Sequence, residues 1–410
     1  MFFSLIMSRD DLLRELVSGR IRFHELDELV GVSDAVELRR EGVSRLTGAG
    51  LKHVSNSSID AVGVVGRNIE NMIGVVQIPL GVAGPILVEG EFACGDFYLP
   101  LATTEGALVA SVNRGCSAIR EAGSVRVHIF QDLMTRAPVF GCENLEAVVG
   151  LIGWVRENFE RMKLAAGTTT SHGELLRVEP FVAGRTVWLR FGFDTKDAMG
   201  MNMVTIASDA ICDLILRENT GVGLVSLSGN MCVDKKPAAV NTLLGRGKTV
   251  VAEAVIPDRV VESRLKTDSQ RMVEVNYRKN LLGSARAGAL GFNAHAANII
   301  AAIFIACGQD VAHVVGGSTA ITTVERTDGG LHLAVTLPAL EVGTVGGGTH
   351  VETQRECLEM LGVAGSGNPH GSNAKKLAEI VASAVLAGET SLIAAQAARH
   401  LAQAHKKLGR

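Results

Sequence analysis

Hydrophobic and polar positions divide the chain into stretches of different periodicity. Over residues 8–52, leucines recur at helical spacing among many charged residues, which predicts a small helical N-terminal region. Over residues 59–123, apolar runs alternate with Gly and Pro and end in a predicted helix at 108–119. The drop in charge density between these stretches indicates a change of structural unit.

The middle of the chain has the pattern of a separate module, and the third part returns to long apolar stretches. Residues 154–163 and 208–219 have helical spacing and residues 179–193 alternate as strands do, so a compact α+β module is expected before residue 226. After residue 250, Ala- and Gly-rich segments predict long helices at 280–307 and 374–408, separated by a strand-like stretch at 331–345. Aromatic residues make up only 4%, so the helices are expected to pack closely through small side chains.

Composition narrows the class of protein. With 410 residues, 47% of them hydrophobic, the chain can bury a large core in more than one domain. A formal net charge of -3 without a basic cluster argues against nucleic-acid binding. Seven scattered cysteines without a CxxC pair suggest neither disulfides nor a metal site, which favours a reducing, cytoplasmic setting. The apolar start, residues 1–7, is too short for a membrane span, and Met7 is an alternative start.

Familiar nucleotide-binding and hydrolase motifs do not fit. The segment 243–249 resembles the end of a P-loop but has Thr242 in place of the first required Gly, and 221–226 breaks the dinucleotide fingerprint at its last position. Neither a zincin motif nor a nucleophile elbow occurs in the sequence. The chemistry must therefore come from other residues.

The loop 227–240 places three charged residues, Asp234, Lys235 and Lys236, between apolar neighbours and ends them with a proline. Such a triplet is more often a solvated turn. If the loop is buried, a lysine keeps its proton only beside carboxylates, and it can then stabilise negative charge on a substrate oxygen.

Three further groups are candidates, each with a structural alternative. Glu105 follows two threonines, and we expect it in the first turn of the 108–119 helix, either as a favourable helix-dipole partner or as a buried acid that donates a proton. Asp310 follows a helix expected to stop at Gly308, where a cap or turn role is the simpler interpretation. His405 lies on the apolar face of the last predicted helix, where histidines usually only pack.

Two segments suggest a ligand less directly. Methionines recur every second residue over 197–203, which predicts one face of a buried strand. The glycines of residues 342–349 allow backbone N–H groups to approach a phosphate.

Taken together, these segments resemble 3-hydroxy-3-methylglutaryl-coenzyme A (HMG-CoA) reductase, and the resemblance extends from about residue 70 to residue 405. The matching blocks stand in family order: 70–74 with 79–85, 102–116, 197–203, 228–239, 291–298, 308–310, 343–349 and the His405 tail. The Thr-Thr-Glu-Gly and Asp-Lys-Lys-Pro-Ala-Ala forms resemble class I, which archaea and eukaryotes share. One such block would be weak, but the ordered set is specific.

The resemblance implies a chemistry for the four catalytic candidates. In this family a thioester is reduced twice by a nicotinamide cofactor, which yields mevalonate and free CoA. Lys235 would stabilise the oxyanion, Glu105 would donate the proton, and Asp310 would bridge the two. His405, on a mobile C-terminal segment, would protonate the departing CoA thiolate.

The resemblance also implies binding residues and an architecture. Substrate contacts would come from Arg136, Ser228, Asp234, Lys236, Lys279 and Asn298, and cofactor contacts from Asp197, Met199, Met201, Asn202, Gly346, Gly347, Gly348 and Thr349, without a metal. The implied fold is α+β: a helical region over 1–65, a large helix-rich HMG-CoA-binding domain over 66–137 and 227–410, and a small ferredoxin-like cofactor domain inserted at 138–226. Active sites would lie between the subunits of a homodimer or homotetramer.

One departure from the family leaves the cofactor open. Eukaryotic relatives carry a Ser-Arg pair that recognises the 2′-phosphate of NADPH, whereas this chain has Thr170-Ser171-His172. We expect NADPH, with His172 or Arg190 replacing the arginine, and NADH stays possible. The membrane anchor of animal relatives is not expected. Two alternatives stay open: NAD-linked oxidation of mevalonate in reverse, and a CoA-thioester-binding protein without redox activity.

Overall fold

The computed structural model describes residues 7–170 and 172–398. The strands are β1 Leu80–Glu89, β2 Cys94–Ala102, β3 Val125–Arg136, β4 Val139–Cys142, β5 Glu174–Ala183, β6 Thr186–Asp194, β7 Val222–Ser226, β8 Gly247–Pro257, β9 Ile321–Thr327 and β10 Gly330–Leu340. The helices are α1 Arg9–Val17, α2 Leu26–Leu29, α3 Val32–Thr47, α4 Ala61–Val64, α5 Leu108–Ala122, α6 Leu145–Glu157, α7 Phe159–Gly167, α8 Met201–Glu218, α9 Ala239–Leu244, α10 Asp258–Val260, α11 Ser269–Val275, α12 Ser284–Ala287, α13 Ala296–Ala306, α14 Val314–Gly317, α15 Glu352–Met360 and α16 Ser372–Ala397. Short 3₁₀ turns occur at Phe23–Glu25, Val311–His313 and Gly347–His350, and π-helical stretches at Val261–Leu265 and Asn276–Gly283.

A large sheet forms the frame of the major unit. Its strands lie in the order β2-β1-β3-β8-β10-β9, and every pairing is antiparallel except that of β1 with β3. The helices α5, α13 and α16 pack against this frame and share one continuous hydrophobic core with it. The expected α+β class is confirmed.

The small module has its own sheet, in the order β7-β4-β6-β5, and its own core. The chain runs through it as β4-α6-α7-β5-β6-α8-β7, which is a ferredoxin-like order of elements with antiparallel strands. The end of β3 continues from the large sheet and pairs with β6, so one strand joins the two sheets. That shared strand fixes where the small module meets the large one.

The long helix α16 runs through the centre of the major unit. It is apolar and long enough to cross a membrane by length and composition, but 94% of its apolar window is buried inside the protein, as in the core helix of a folded domain. Its neighbour α5 approaches so closely that a Cβ on Gly115 would lie 1.9 Å from the backbone oxygen of Ala387. The expected close packing through small residues is found at this crossing.

Several predicted elements differ from those observed. Residues 280–307 are not one helix, because the π-helical stretch, α12 and an irregular segment precede α13. The helix predicted at 154–163 is interrupted at Asn158, which separates α6 from α7. The methionine repeat is not a strand: Met201 and Met203 belong to the first turn of α8, because the left-handed Gly200 ends the preceding turn and begins the helix.

Candidate active site

The charged loop 227–240 is a strained turn that neighbouring segments hold in place. Asn230, Val233 and Lys235 have φ values of 63°, 45° and 57°, a region that residues other than Gly rarely adopt. The loop is fixed by a hydrogen bond from the Asn241 amide to the Val233 carbonyl, 3.1 Å, and by one from the Trp188 indole to the Gly229 carbonyl, 2.9 Å. The residue that this turn directs outward is Lys235.

Lys235 forms an ion pair with Asp310. The distance from Lys235 Nζ to Asp310 Oδ2 is 2.8 Å, and the Asp310 side chain also caps the 3₁₀ turn by accepting from the Ala312 amide at 3.1 Å. The hydrogen bond to Asp310 raises the pKa of Lys235. Burial opposes ionisation of Asp310, but the hydrogen bonds from Lys235 and the Ala312 amide, together with nearby positive charge, outweigh it and lower the pKa of the carboxyl. The lysine is thus held as a cation beside a carboxylate, as an oxyanion-stabilising role requires.

Glu105 occupies a different place from the one expected. It lies before α5 rather than in its first turn, with its amide bonded to the Thr103 hydroxyl at 3.0 Å, and it is exposed in the single chain. Its carboxylate accepts a hydrogen bond from Asn298 Nδ2 at 3.3 Å. The burial that a proton-donating role requires is therefore not provided by this chain alone.

The predicted catalytic and substrate-binding residues form two groups at opposite ends of α13. Glu105 and Asn298 meet at its start, and Asp310 follows its end; the helix between Asn298 and Ala306 alone covers about 12 Å. The exposed Lys279 lies on the π-helical stretch Asn276–Gly283 and donates to Asn280.

The remaining predicted substrate residues accompany Lys235. Ser228, Asp234 and Lys236 belong to the same loop, and Lys236 donates to the Asp234 carbonyl at 3.1 Å. Arg136 ends β3 immediately before Ala137, whose carbonyl accepts the Gly229 amide at 2.7 Å. This group therefore supplies several cations beside the Lys235–Asp310 pair.

A cleft of about 870 Å³ begins at Asp310 and extends between the two structural units. It is lined by all of the residues predicted to bind a cofactor except Asp197, namely Met199, Met201, Asn202, Gly346, Gly347, Gly348 and Thr349. Gly346 and Gly347 have φ values of 80° and 56° and open space where a Cβ would be, so a side chain here would narrow the cleft. The glycine loop thus leaves its backbone accessible to an extended ligand.

Asp197 has a structural role instead of lining this cleft. It is only 3% exposed, and its carboxylate accepts hydrogen bonds from the amides of Gly367, Gly371 and Ala374 and from the Ser366 hydroxyl. Burial works against ionisation, but the amides of Gly371, Ala374 and Gly367 outweigh it and lower the pKa of Asp197. The carboxylate therefore fixes the turn before α16, and the predicted part of Asp197 in cofactor binding stays a prediction for its segment rather than for this side chain.

Behind the Lys235–Asp310 pair lies a buried charged group that the sequence did not reveal. Arg246 is fully buried and donates to Asp234 Oδ1 at 3.0 Å, to Glu341 Oε1 and to Met201 Sδ at 2.9 Å. His313, 1% exposed, lies between these residues and Asp310. The sequence offered one signal for this group: Glu341 is a single charged residue within an apolar run, between Leu340 and Val342. A charged residue in such a run is rarely buried without a partner, so a buried cation was to be expected nearby.

Two of the predicted positions lie outside the described residues. They are His405, predicted to protonate the leaving thiolate, and Ser171, beside the region where the cofactor phosphate is expected. Arg190, considered as a replacement for the family arginine, is fully buried and donates to Glu179 at 3.0 Å and to the Gly245 carbonyl at 2.6 Å. It is therefore not available for a cofactor phosphate.

The two-unit α+β fold carries a lysine–carboxylate pair at the end of a glycine-lined cleft between its modules, a shape that suits an extended ligand. A sequence model of the hydroxymethylglutaryl-coenzyme A reductase family matches residues 35–410. The chain belongs to the hydroxymethylglutaryl-coenzyme A reductase family.

Individual relatives agree with this membership. The chain is 56% identical over 408 residues to the 3-hydroxy-3-methylglutaryl-coenzyme A reductase of Pyrococcus abyssi, covering 98% of this chain and 100% of that protein. It is 44% identical over 408 residues to the Zea mays protein of the same name, covering 98% of this chain and 70% of that protein. A solved class II 3-hydroxy-3-methylglutaryl-CoA reductase from Streptococcus pneumoniae, bound to NADPH in open conformations, has a TM-score of 0.65 at 18% identity, covering 95% of this chain and 100% of that one. This last similarity shows the fold alone.

Proposed function

We propose that the protein reduces HMG-CoA to mevalonate and free CoA in the mevalonate pathway, consuming two NADPH. The observation that carries this proposal is the Lys235–Asp310 ion pair of 2.8 Å at the end of the cleft between the two modules. A permanently charged ammonium there can stabilise the oxyanion that forms when hydride adds to a thioester or an aldehyde carbonyl. The names of the relatives support the substrate.

The cleft fits a nicotinamide cofactor, which when bound supplies the hydride. Met199, Met201 and Asn202 line one wall and the accessible backbone of Gly346 and Gly347 lines another. These residues would bind and orient the cofactor against the reacting carbonyl beside Asp310. The NADPH-bound S. pneumoniae neighbour supports this choice of cofactor.

We propose that His172 and His370 recognise the cofactor phosphate in place of an arginine. Their rings contact edge to face with centroids 5.8 Å apart. The Thr170 hydroxyl links this pair to the cleft, because it accepts the His172 amide at 3.2 Å and lies 3.1 Å from the cleft residue Met203. If they bind the 2′-phosphate, the variant His172→Ala lowers the ratio of kcat/KM for NADPH over NADH by about 10- to 100-fold. An unchanged ratio would leave this proposal without support.

We further propose that the active site is completed by a second copy of the chain. The Glu105–Asn298 group and the Lys235–Asp310 group lie at opposite ends of α13, and Glu105 is exposed. A twofold-related partner would bring Glu105 of one chain to Lys235 of the other, which gives a homodimer as the minimum assembly. His405 would then complete the site as the acid for the leaving thiolate.

Assignments of class, domain limits and location are also proposals. We assign the chain to class I on the Thr-Thr-Glu-Gly and Asp-Lys-Lys-Pro-Ala-Ala segments. The separate cores of the two modules support a cofactor domain at 138–226 inserted in a substrate domain of 66–137 and 227–410, after a helical region of 1–65. Free cysteines throughout support a cytoplasmic location.

The test is an assay of purified protein with HMG-CoA that follows NADPH and, separately, NADH oxidation while released CoA thiol is titrated. Two cofactors oxidised per thiol, with NADPH preferred, is the expected result. NADH preference would overturn the cofactor assignment only. Thiol release without cofactor oxidation would point to a non-redox protein and overturn the function.

A further inference from the structure

A buried histidine lies directly behind the proposed oxyanion-stabilising pair. His313 Nε2 is 3.7 Å from Asp310 Oδ2, the same oxygen that Lys235 contacts, and 3.9 Å from Asp234 Oδ1. The ring is 1% exposed, and among the described residues no hydrogen-bond partner is found for Nε2. The imidazole therefore lies between two carboxylates that come from separate segments of the chain.

The surroundings of the ring determine which nitrogen carries a proton. Among the described residues, the charged groups facing Nε2 are the carboxylate oxygens of Asp310 and Asp234, which would repel a lone pair, so we place the ring hydrogen on this nitrogen. Nδ1 faces both a donor, Arg246 Nη1 at 3.5 Å, and an acceptor, Glu341 Oε2 at 3.6 Å. The orientation of the ring therefore places Nε2 toward Asp310 and Asp234 and Nδ1 toward Arg246 and Glu341.

The charges around the His313 ring explain the role of its Nε2–H group. The ion pairs of this group join three carboxylates, Asp234, Asp310 and Glu341, to two cations, Lys235 and Arg246, while the neighbouring Lys236 donates to the Asp234 backbone carbonyl. Asp234 receives a hydrogen bond from Arg246, whereas Asp310 is held, within the described part of the chain, by Lys235 and the Ala312 amide. A donor between Asp234 and Asp310 reduces the repulsion that would otherwise push the Asp310 carboxylate, and Lys235 with it, away from the loop.

We propose that His313 is a positioning residue of the reduction: its Nε2–H holds the carboxylates of Asp310 and Asp234 at the spacing that directs Lys235 toward the substrate oxygen. This inference rests on the proposed function. His313 itself is too deeply buried to contact substrate, so it acts through Asp310. Its loss should lower kcat, because the oxyanion forms only during reaction, and should leave KM for HMG-CoA nearly unchanged.

Two neutral, polar variants separate the role of the two ring nitrogens. The amide of His313→Gln reaches the position of Nε2 and keeps a donor there, whereas the shorter amide of His313→Asn reaches only the position of Nδ1. We expect His313→Gln to retain kcat within about five-fold and His313→Asn to lose about 10- to 100-fold, each with KM near the wild-type value. His332→Asn is the matched control, because His332 pairs with Glu253 at 2.8 Å on β10, apart from the site, and should not alter kcat.

Both variants are first checked by thermal unfolding. Equal losses of kcat in His313→Gln and His313→Asn, or a change in KM alone, would overturn this inference. The proposed function would still stand, provided that the wild-type protein oxidises NADPH with HMG-CoA. A wild-type protein that oxidises no NADPH with HMG-CoA would overturn the function, and the inference with it. If His313→Asn does not fold, His313→Gln decides alone, since a loss above about 100-fold despite its retained donor contradicts the assigned role.

Discussion

The separation of Glu105 from Lys235 within one chain leads to a test by subunit mixing. If each active site takes Glu105 from one subunit and Lys235 from its partner, Glu105→Ala and Lys235→Ala are each inactive as homodimers. Removing an oxyanion donor such as Lys235 costs about 10²- to 10³-fold in kcat and removing a general acid such as Glu105 about 10²- to 10⁴-fold, so each parent should retain at most about 1% of the wild-type rate. A heterodimer of the two variants contains one doubly damaged site and one intact site. It should therefore regain about half of the wild-type rate per dimer.

The measurement uses co-expression with two different affinity tags, successive purification on both, and the NADPH-oxidation assay with HMG-CoA. The matched control is the heterodimer of Lys235→Ala with Asp310→Asn. These residues form an ion pair within one chain, so every site of that heterodimer lacks one of them and it should stay inactive. If the Glu105→Ala/Lys235→Ala heterodimer is as inactive as its parents, the site lies within one chain and the two-subunit reasoning is refuted.

Three further predictions follow from single residues. Asp197→Asn should destabilise the fold at pH 7 by about 2–4 kcal/mol, because an amide cannot accept all of the hydrogen bonds that the carboxylate receives. Since the pKa of Asp197 is lowered in the folded protein, its contribution is present above the unfolded-state pKa of about 3.9 and is lost as pH falls further, so the difference measured by chemical denaturation should shrink below about pH 4. Gly115→Ala should cost about 1–3 kcal/mol at its contact with Ala387, whereas Gly153→Ala in α6, with open space around it, should be neutral or stabilising in the same measurement. His405→Gln should impair reduction of the thioester but largely spare reduction of mevaldehyde; equal losses in both assays would contradict thiolate protonation.

Periodicity predicted the elements whose burial follows from one local pattern. The helix expected at 108–119 is α5, and the strand-like stretch at 331–345 contains β10. Failures occurred where glycine geometry changed the outcome: the two-residue methionine repeat suggested a strand, but the left-handed Gly200 sets the start of α8. The spacing of apolar residues does not show that Gly200 adopts a left-handed turn conformation.

For the candidate site, too, some residues were recognisable from the sequence and others only from the fold. The ion pair of Lys235 with Asp310 joins two of the residues that the resemblance implied, although seventy-five positions separate them in sequence; the implied bridge from Asp310 to Glu105 stays a prediction. Arg246, His313 and Glu341 were missed because each is a single charged residue in its segment, and only the fold brings them together. The sequence places Asp197 beside cleft residues but does not show that its carboxylate binds the amides before α16.

The backbone strain in the 227–240 loop is related to the buried charge of Arg246. Val233 is β-branched and has a φ of 45°, and such residues cost about 1–3 kcal/mol each, so the turn persists only because its surroundings determine it. The fixing bonds come from Asn241 to the Val233 carbonyl and from the buried Arg246 to Asp234, on either side of the strained positions. Because Lys235 directly follows Asp234, the bond from Arg246 to the Asp234 carboxylate also fixes the backbone from which Lys235 reaches Asp310. An acidic residue beside the lysine is thus what turns a flexible cation into an oriented one, and the backbone strain is a consequence of that orientation.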